Sequence, residues 1–278
     1  MARLKLTAEN YYSPEANWQY MSASQFKSFY RCESAALAEL RGEWNRPSST
    51  ALLVGSYVDA YFSGELEQFT AEHPEIFTKA GTLKADFQKA HDICERLNRD
   101  ELARLLLAGK HQTIKTGKIA GVWYKTKSDS LLNARQVEAI CKKFPEVRNI
   151  VPFGGAMIVD LKCMKDFEDI WDEEQREKVS FVEFWGYDVQ GAIYQTVDGR
   201  MLPFVLVGAT KESATDIEAM YIPDEDLAFA LSEVEALSPR YDAIKRGEIE
   251  PEGCGKCAYC RSTKRLTSIK SYRQIRTE

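Results

Sequence analysis

Histidine is scarce in this chain: there are three in 278 residues, and His73, His91 and His111 all fall among polar neighbours, which reads as solvated rather than as a site. Long apolar runs are missing as well. No stretch approaches the ~18 consecutive apolar residues of a membrane span, and the opening MARLKLTAENYY has nothing like the apolar segment of a secretory leader. The expectation is a cytoplasmic protein with no membrane partner. Glycine (16) and proline (9) are too few for a collagen-like or low-complexity chain. Nor is positive charge in excess: 37 Lys and Arg against 42 Asp and Glu leave a net charge of -5. Such a chain exerts no bulk pull on nucleic acid, so any contact with DNA must rest on local basic patches and bound cations.

What the chain does have is apolar material, 44% of residues, enough to bury the core of one large domain, and seven cysteines. Their number is odd and their spacing uneven, and a reducing compartment disfavours structural disulfides. Cys254, Cys257 and Cys260 form C-x-x-C-x-x-C in a turn-rich, glycine-containing segment, while Cys32 stands alone in FYRCESAA. Three thiols cannot complete a tetrahedral site, so a fourth ligand has to come from elsewhere. Cys94, Cys141 and Cys163 lie in apolar patterns and read as packing residues.

Along the chain, residues 22–44 predict two short helices meeting near Arg31 and Cys32, with Ser22 or Ser24 as N-cap. Residues 51–64 predict a buried helix carrying Asp59, and 84–109 an amphipathic helical stretch closed by Gly109. At residue 111 the pattern changes to the alternation of an antiparallel hairpin, with Gly117 near its turn. A helix or loop over 134–148 follows, and 154–164 reads as a central strand. FEDIWDEEQREK reads as an acidic helical region with a turn, and FVEFWGYDVQGAIYQTVDG as a helix. Residues 203–211 and 216–223 read as strands, 224–246 as a long helix, and the basic, cysteine-rich remainder as loop. The fold class is therefore α/β or α+β, a mixed sheet with helices on its faces.

The densest chemistry is on the strand IVDLK. Period-2 alternation puts Asp160 and Lys162 on one face and sends Leu161 to the other. A carboxylate and an ammonium on a strand fit for burial are costly unless matched or metal-bound. In isolation, D-x-K is more often an incidental ion pair at a strand end. Here Asp129, on the strand GVWYKTKSDS, can bring a second carboxylate to the same end of the sheet, and two carboxylates with a backbone carbonyl suit Mg2+ or Mn2+. Gln190 and Tyr194, four apart, share one helix face.

Taken in order, KTKSD, IVDLK and GYDVQGAIY resemble the motifs of the PD-(D/E)XK nuclease superfamily, in particular its RecB-like branch with phage-type exonucleases similar to RecE. The resemblance covers roughly residues 22–200. It implies a restriction-endonuclease-like core in a single domain over 1–278: a mainly helical part at 1–110, a catalytic sheet at 111–223, and a C-terminal helix with a cysteine-rich basic clasp at 224–278. It also implies metal-dependent hydrolysis of phosphodiester bonds at DNA ends. Asp129, Asp160 and the Leu161 carbonyl would hold Mg2+ or Mn2+; Lys162 would act on the attacking water or on phosphate charge; Gln190 and Tyr194 would position these groups or the strand. Relatives often carry a metal-binding histidine in a G-x-x-x-H setting, and the stretch Gly55-Ser56-Tyr57-Val58-Asp59 puts Asp59 in its place, as a ligand or as a carboxylate paired with an arginine. Some RecB-like nucleases bind a [4Fe-4S] cluster through one cysteine before the motifs and three after. Cys32, Cys254, Cys257 and Cys260 have that layout, with structural Zn2+ as the rival. DNA is the implied partner, with an annealing protein and a homo-oligomer as further ones. Lys115, Lys118, Lys125 and Lys127, and the basic tail around Tyr272, are candidate backbone contacts. The competing readings are a non-catalytic DNA-binding or assembly subunit that keeps the fold and clasp, and a zinc-bound scaffold with no nucleic-acid role.

Overall fold

A computed structural model describes residues 3–45, 49–151, 154–173, 175–269 and 271–274. The chain begins with helices α1 (Pro14–Gln19), α2 (Ala23–Arg31), α3 (Glu33–Leu40), α4 (Thr50–Ser63), α5 (Leu66–Glu72), α6 (Ala85–Arg99) and α7 (Glu101–Leu106). The hairpin β1 (Lys110–Ile119) and β2 (Val122–Leu132) comes next, then α8 (Ala134–Lys143) and β3 (Met157–Met164). A small hairpin of β4 (Ile170–Asp172) and β5 (Glu177–Val179) leads into α9 (Phe181–Phe184) and α10 (Tyr187–Asp198). β6 (Phe204–Thr210), β7 (Ile217–Tyr221), the long α11 (Asp224–Lys245) and the short α12 (Ala258–Ser262) complete the fold.

Five strands form one sheet in the order β1-β2-β3-β6-β7. All neighbours are antiparallel except β3 and β6, which run parallel. A parallel pair needs a crossover, and α10 supplies it. β6 is buried along its whole length, as expected of a strand covered on both faces. Its alternation divides the core. Phe204 and Leu206 pack with α2, α10 and α11 on one side, whereas Val205, Val207 and Ala209 pack with α4, α6 and α8 on the other. On β3, Ile158 faces the α10 side and Met157, Val159 and Leu161 the α4 side. By the same alternation Asp160 and Lys162 look toward α10. No helix among the described residues is long and apolar enough to cross a membrane.

The helix boundaries follow their caps. The Ser22 hydroxyl accepts from the Gln25 amide to start α2, and Cys32, extended at φ -169°, separates α2 from α3. Elsewhere the structure departs from the sequence reading. The turn of the first hairpin is Ala120-Gly121, both at positive φ, as a two-residue turn requires. Gly117 instead pairs with Tyr124 in mid-strand. Its value is close approach: a Cβ there would meet the Val197 backbone of α10 at 3.2 Å. The acidic segment after β3 is not helical but the β4–β5 hairpin, in which Ile170 pairs with Val179 across a turn holding Arg176 at φ 58°. The helix expected from residue 181 onward is two helices, divided where Gly186 takes φ 61°.

Candidate active site

Asp160 is 1% exposed at the centre of the sheet. A carboxylate so placed needs partners. Its Oδ1 accepts from Gln190 Nε2 of α10 at 2.7 Å, and Lys162 Nζ forms an ion pair with Oδ2. Among the described residues no second donor meets Oδ2, so beside the Lys162 contact this buried atom keeps acceptor capacity to spare. Asp129 arrives from β2, where Ser130 is in register with Val159 of β3, and its Oδ2 accepts the Leu161 amide at 2.9 Å. The pairing that should feed the β3 ladder is therefore made by a side chain, which ties the two acidic strands together at the site. Leu161 buries its side chain on the far face, while its carbonyl lies 3.5 Å from Lys162 Nζ.

Asp59 comes from α4. Its carboxylate meets Gln112 Nε2 of β1 at 3.3 and 3.4 Å; the partner is a glutamine where an arginine was the structural alternative. Tyr194 is held on α10 by its hydroxyl, which donates to the Lys127 carbonyl at 3.2 Å and fastens the helix to β2. The geometry thus brings Asp129, Asp160, Leu161, Lys162, Gln190 and Tyr194 together, with Asp59 close enough to act on Asp129 through its charge.

The electrostatics show what the cluster needs. Burial pushes the Asp129 carboxyl well above its usual range, the Asp160 charge pushes it further, and Lys162 only partly opposes them. Burial likewise raises Asp59, against Lys127 and Lys162. Burial works to lower the Lys162 pKa, but the charges of Asp160 and Asp129 outweigh it and hold the ammonium above its ordinary value. Three carboxylates around one contacting ammonium are short of positive charge. A hard divalent cation fits that donor set, Asp160 Oδ2 included.

One neighbour, Lys27, carries no signal in the sequence. Lys27 of α2 donates to the Trp185 carbonyl at 3.1 Å and lies 5.6 Å from the centre of the Tyr187 ring, whose centre is 5.7 Å from Lys162 Nζ. Burial, with the Lys162 charge beside it, lowers Lys27 to about 8. Lys127 Nζ sits 4.6 Å from the ring centre of Tyr12, which is 68% exposed. The expected basic track needs correcting. Lys125 is buried and spends its ammonium on the Tyr11 carbonyl and on Asn17 Oδ1, and Lys115 pairs with Asp198 at 2.5 Å. Lys118 stacks near Trp123. His111 is not solvated either: half-buried on β1, its Nδ1 is 3.0 Å from the Asp129 carbonyl. Beyond Ser262 the described residues of the tail are exposed; Lys270, Ile275 and Arg276 lie outside the described residues.

At the far end of α2, Cys32, Cys254, Cys257 and Cys260 gather with all four sulfurs within 4.8 Å of one another. Cys32 Sγ is 3.5 Å from Cys260 Sγ. The amides of Cys254, Cys257 and Cys260 donate to Cys32, Cys254 and Cys257 sulfurs at 3.3 to 3.4 Å. Burial would raise the Cys254 thiol, but donated backbone hydrogen bonds bring it to about 7. Four thiols poised in this way can hold a metal. Among the described residues no other set of His, Cys, Asp and Glu gathers so tightly; the three carboxylates stand farther apart. Cys94 and Cys141 are buried packing residues, and Cys163 is half-buried against the α4-side core.

Residues 22–142 and 152–263 match the family described as a PDDEXK-like domain of unknown function (DUF3799). The crystal structure of a "Putative exonuclease" from Eubacterium rectale superposes with a TM-score of 0.84 at 39% identity, covering 98% of each chain. No curated protein matches.

Proposed function

Because the chain belongs to the PDDEXK-like family DUF3799, we propose that it is a Mg2+- or Mn2+-dependent deoxyribonuclease that hydrolyses phosphodiester bonds from DNA ends. One observation carries the reading: Asp129, Asp160, Lys162 and Gln190 meet at one end of a shared pair of strands, with the acidic groups short of a cation. Asp59, Asp129, Asp160 and the Leu161 carbonyl would hold the metal. Bound there, it would acidify a water and neutralise phosphoryl oxygens.

The chain's own residues do the rest. Gln190 fixes the Asp160 carboxylate through Oδ1, which leaves Oδ2, contacted by Lys162, to face the cation. The Leu161 amide fixes Asp129. Lys162, held charged by its acidic neighbours, acts on the charge that develops on the phosphate rather than as a base. Tyr194 keeps α10 seated on β2, so that Gln190 stays in reach. Lys27 and Lys127 flank the site and suit the DNA backbone, and the 39% identical neighbour's name as an exonuclease supports action at ends.

We read the cysteine centre as a resident metal site. The order of one cysteine before the nuclease motifs and three after supports a [4Fe-4S] cluster. Sulfurs within 4.8 Å favour a single tetrahedral Zn2+, because a cubane places four irons between its thiolates. Metal analysis of anaerobically purified protein separates the two: iron with visible thiolate absorption, or colourless protein with one zinc. A place in phage-type recombination, with an annealing protein as partner and the nuclease as a homo-oligomer, extends the same reading.

The direct test offers linear duplex, circular duplex and single-stranded DNA with Mg2+ or Mn2+. Degradation of linear DNA alone is expected. Nicking of circles would make the protein an endonuclease, and inertness on all three would leave a DNA-binding subunit.

A further inference from the structure

Gln112 is the third residue of β1, between His111, which pairs with Ser130, and Thr113, which pairs with Ser128. Its place in the register is opposite Asp129, yet it leaves the ladder and takes φ 48°. Left-handed backbone is strained for a residue with a Cβ, and between two paired strand residues it persists only where the surroundings enforce it. The twist delivers the side chain to Asp59: Nε2 faces both carboxylate oxygens at 3.3 and 3.4 Å. Reversing the amide would set a carbonyl against a carboxylate, so electrostatics dictates which end faces Asp59. The other end, Oε1, is buried without a hydrogen-bond partner. A buried acceptor left in that condition is costly unless a donor arrives. Asp160 Oδ2, met by the Lys162 ammonium alone, is the other oxygen of the site with acceptor capacity to spare.

We propose that Gln112 is a positioning residue of the cation site, aiming Asp59 at the metal through Nε2 and accepting through Oε1 from a water that the metal carries. This rests on the reading of Asp59, Asp129 and Asp160 as a divalent-cation site. It adds a residue from β1, a strand that contributes none of the motif residues, and it gives the backbone strain at φ 48° a function.

The test is Mn2+ titration by calorimetry into the full-length protein with its cysteine centre loaded. Mn2+ is the probe because thiolates do not select it, whereas carboxylates do. Gln112→Met keeps the volume and removes both polar ends. It is expected to weaken Mn2+ binding about 10- to 100-fold, the range for losing an outer partner of a metal ligand, while Tm stays within a few degrees of wild type. Gln112→Gly relieves the left-handed backbone, so it should hold or raise Tm and show the same loss of Mn2+ affinity; it decides the matter if the methionine variant fails to fold. Wild-type affinity in a folded variant overturns the proposal. Failure of the wild-type protein itself to bind Mn2+ overturns the cation-site reading instead.

Discussion

At the sheet, each carboxylate is held by a group that is not a carboxylate: Asp160 by Gln190 and Lys162, Asp129 by the Leu161 amide, Asp59 by Gln112. At the cysteine clasp, the four sulfurs touch one another and the amides of their own segment. The first arrangement is buried and spread over β1, β2, β3, α4 and α10. The second is tight and near the surface, with Cys254 exposed. Rigid strands and a helix preorganise the carboxylates with or without an ion, whereas the cysteines depend on a ligand to make their proximity favourable once they ionise. On the function proposed above, one centre is built for chemistry by the fold, and the other would help to build the fold.

Separate consequences of damage at the two places would sharpen that contrast, and a shared consequence would break it. The largest effect is expected at β3. Asp160→Ala should abolish metal-dependent DNA degradation, and Lys162→Ala should reduce it about 100- to 1,000-fold, as loss of one charge-stabilising donor does. Circular dichroism and the metal content of the cysteine centre should stay as in wild type. Next comes the clasp. Cys257→Ser should release its metal and lower Tm by about 5–10 °C, on the order of 2–3 kcal/mol for a chain of this size. Degradation of linear DNA should persist below that transition; its complete loss in folded protein would mean that the two centres act as one.

Gln190→Ala is the intermediate case. It leaves a buried carboxylate without its donor, at about 1–3 kcal/mol, and should weaken Mn2+ binding about 10- to 100-fold, measurable by thermal unfolding and calorimetry. The smallest effect is expected at Arg240, which pairs with Glu33 and Glu252 behind the clasp at 2.6 and 2.9 Å. The pair is partly exposed and screened by water, so Arg240→Ala should lower Tm only slightly and leave nuclease activity intact. A larger fall, or release of the cysteine-bound metal, would show that ion pairs rather than the metal close the clasp.

The motif residues were legible because two short-range periods carry them: the strand alternation that sets Asp160 and Lys162 on one face, and the helical step from Gln190 to Tyr194. The cysteine triplet was legible from spacing, and Cys32 joined it through the family resemblance. Gln112 and Lys27 were not, because each acquires its meaning from a partner distant in sequence, and no local pattern announces Asp59 across from Gln112. The β4–β5 hairpin was misread because acidic residues around Trp171 imitate a solvated helix, whereas the ladder from Ile170 to Val179 decides its conformation. Lys125 was misread for a similar reason. Polarity predicts exposure, yet the Tyr11 carbonyl and Asn17 make a buried ammonium tolerable.

The separation of Cys32 from Cys254, 222 positions along the chain, has a consequence for biogenesis. During synthesis the N-terminal helices and the sheet emerge well before the cysteine triplet does, and domains assemble as their segments become available. The centre therefore closes late, and a metal at these four thiols could not be captured by a nascent chain that lacks the tail. A product that stops before Cys254 would carry the carboxylates in place and the clasp open, so loading of the cysteine centre would report that synthesis has passed Cys260.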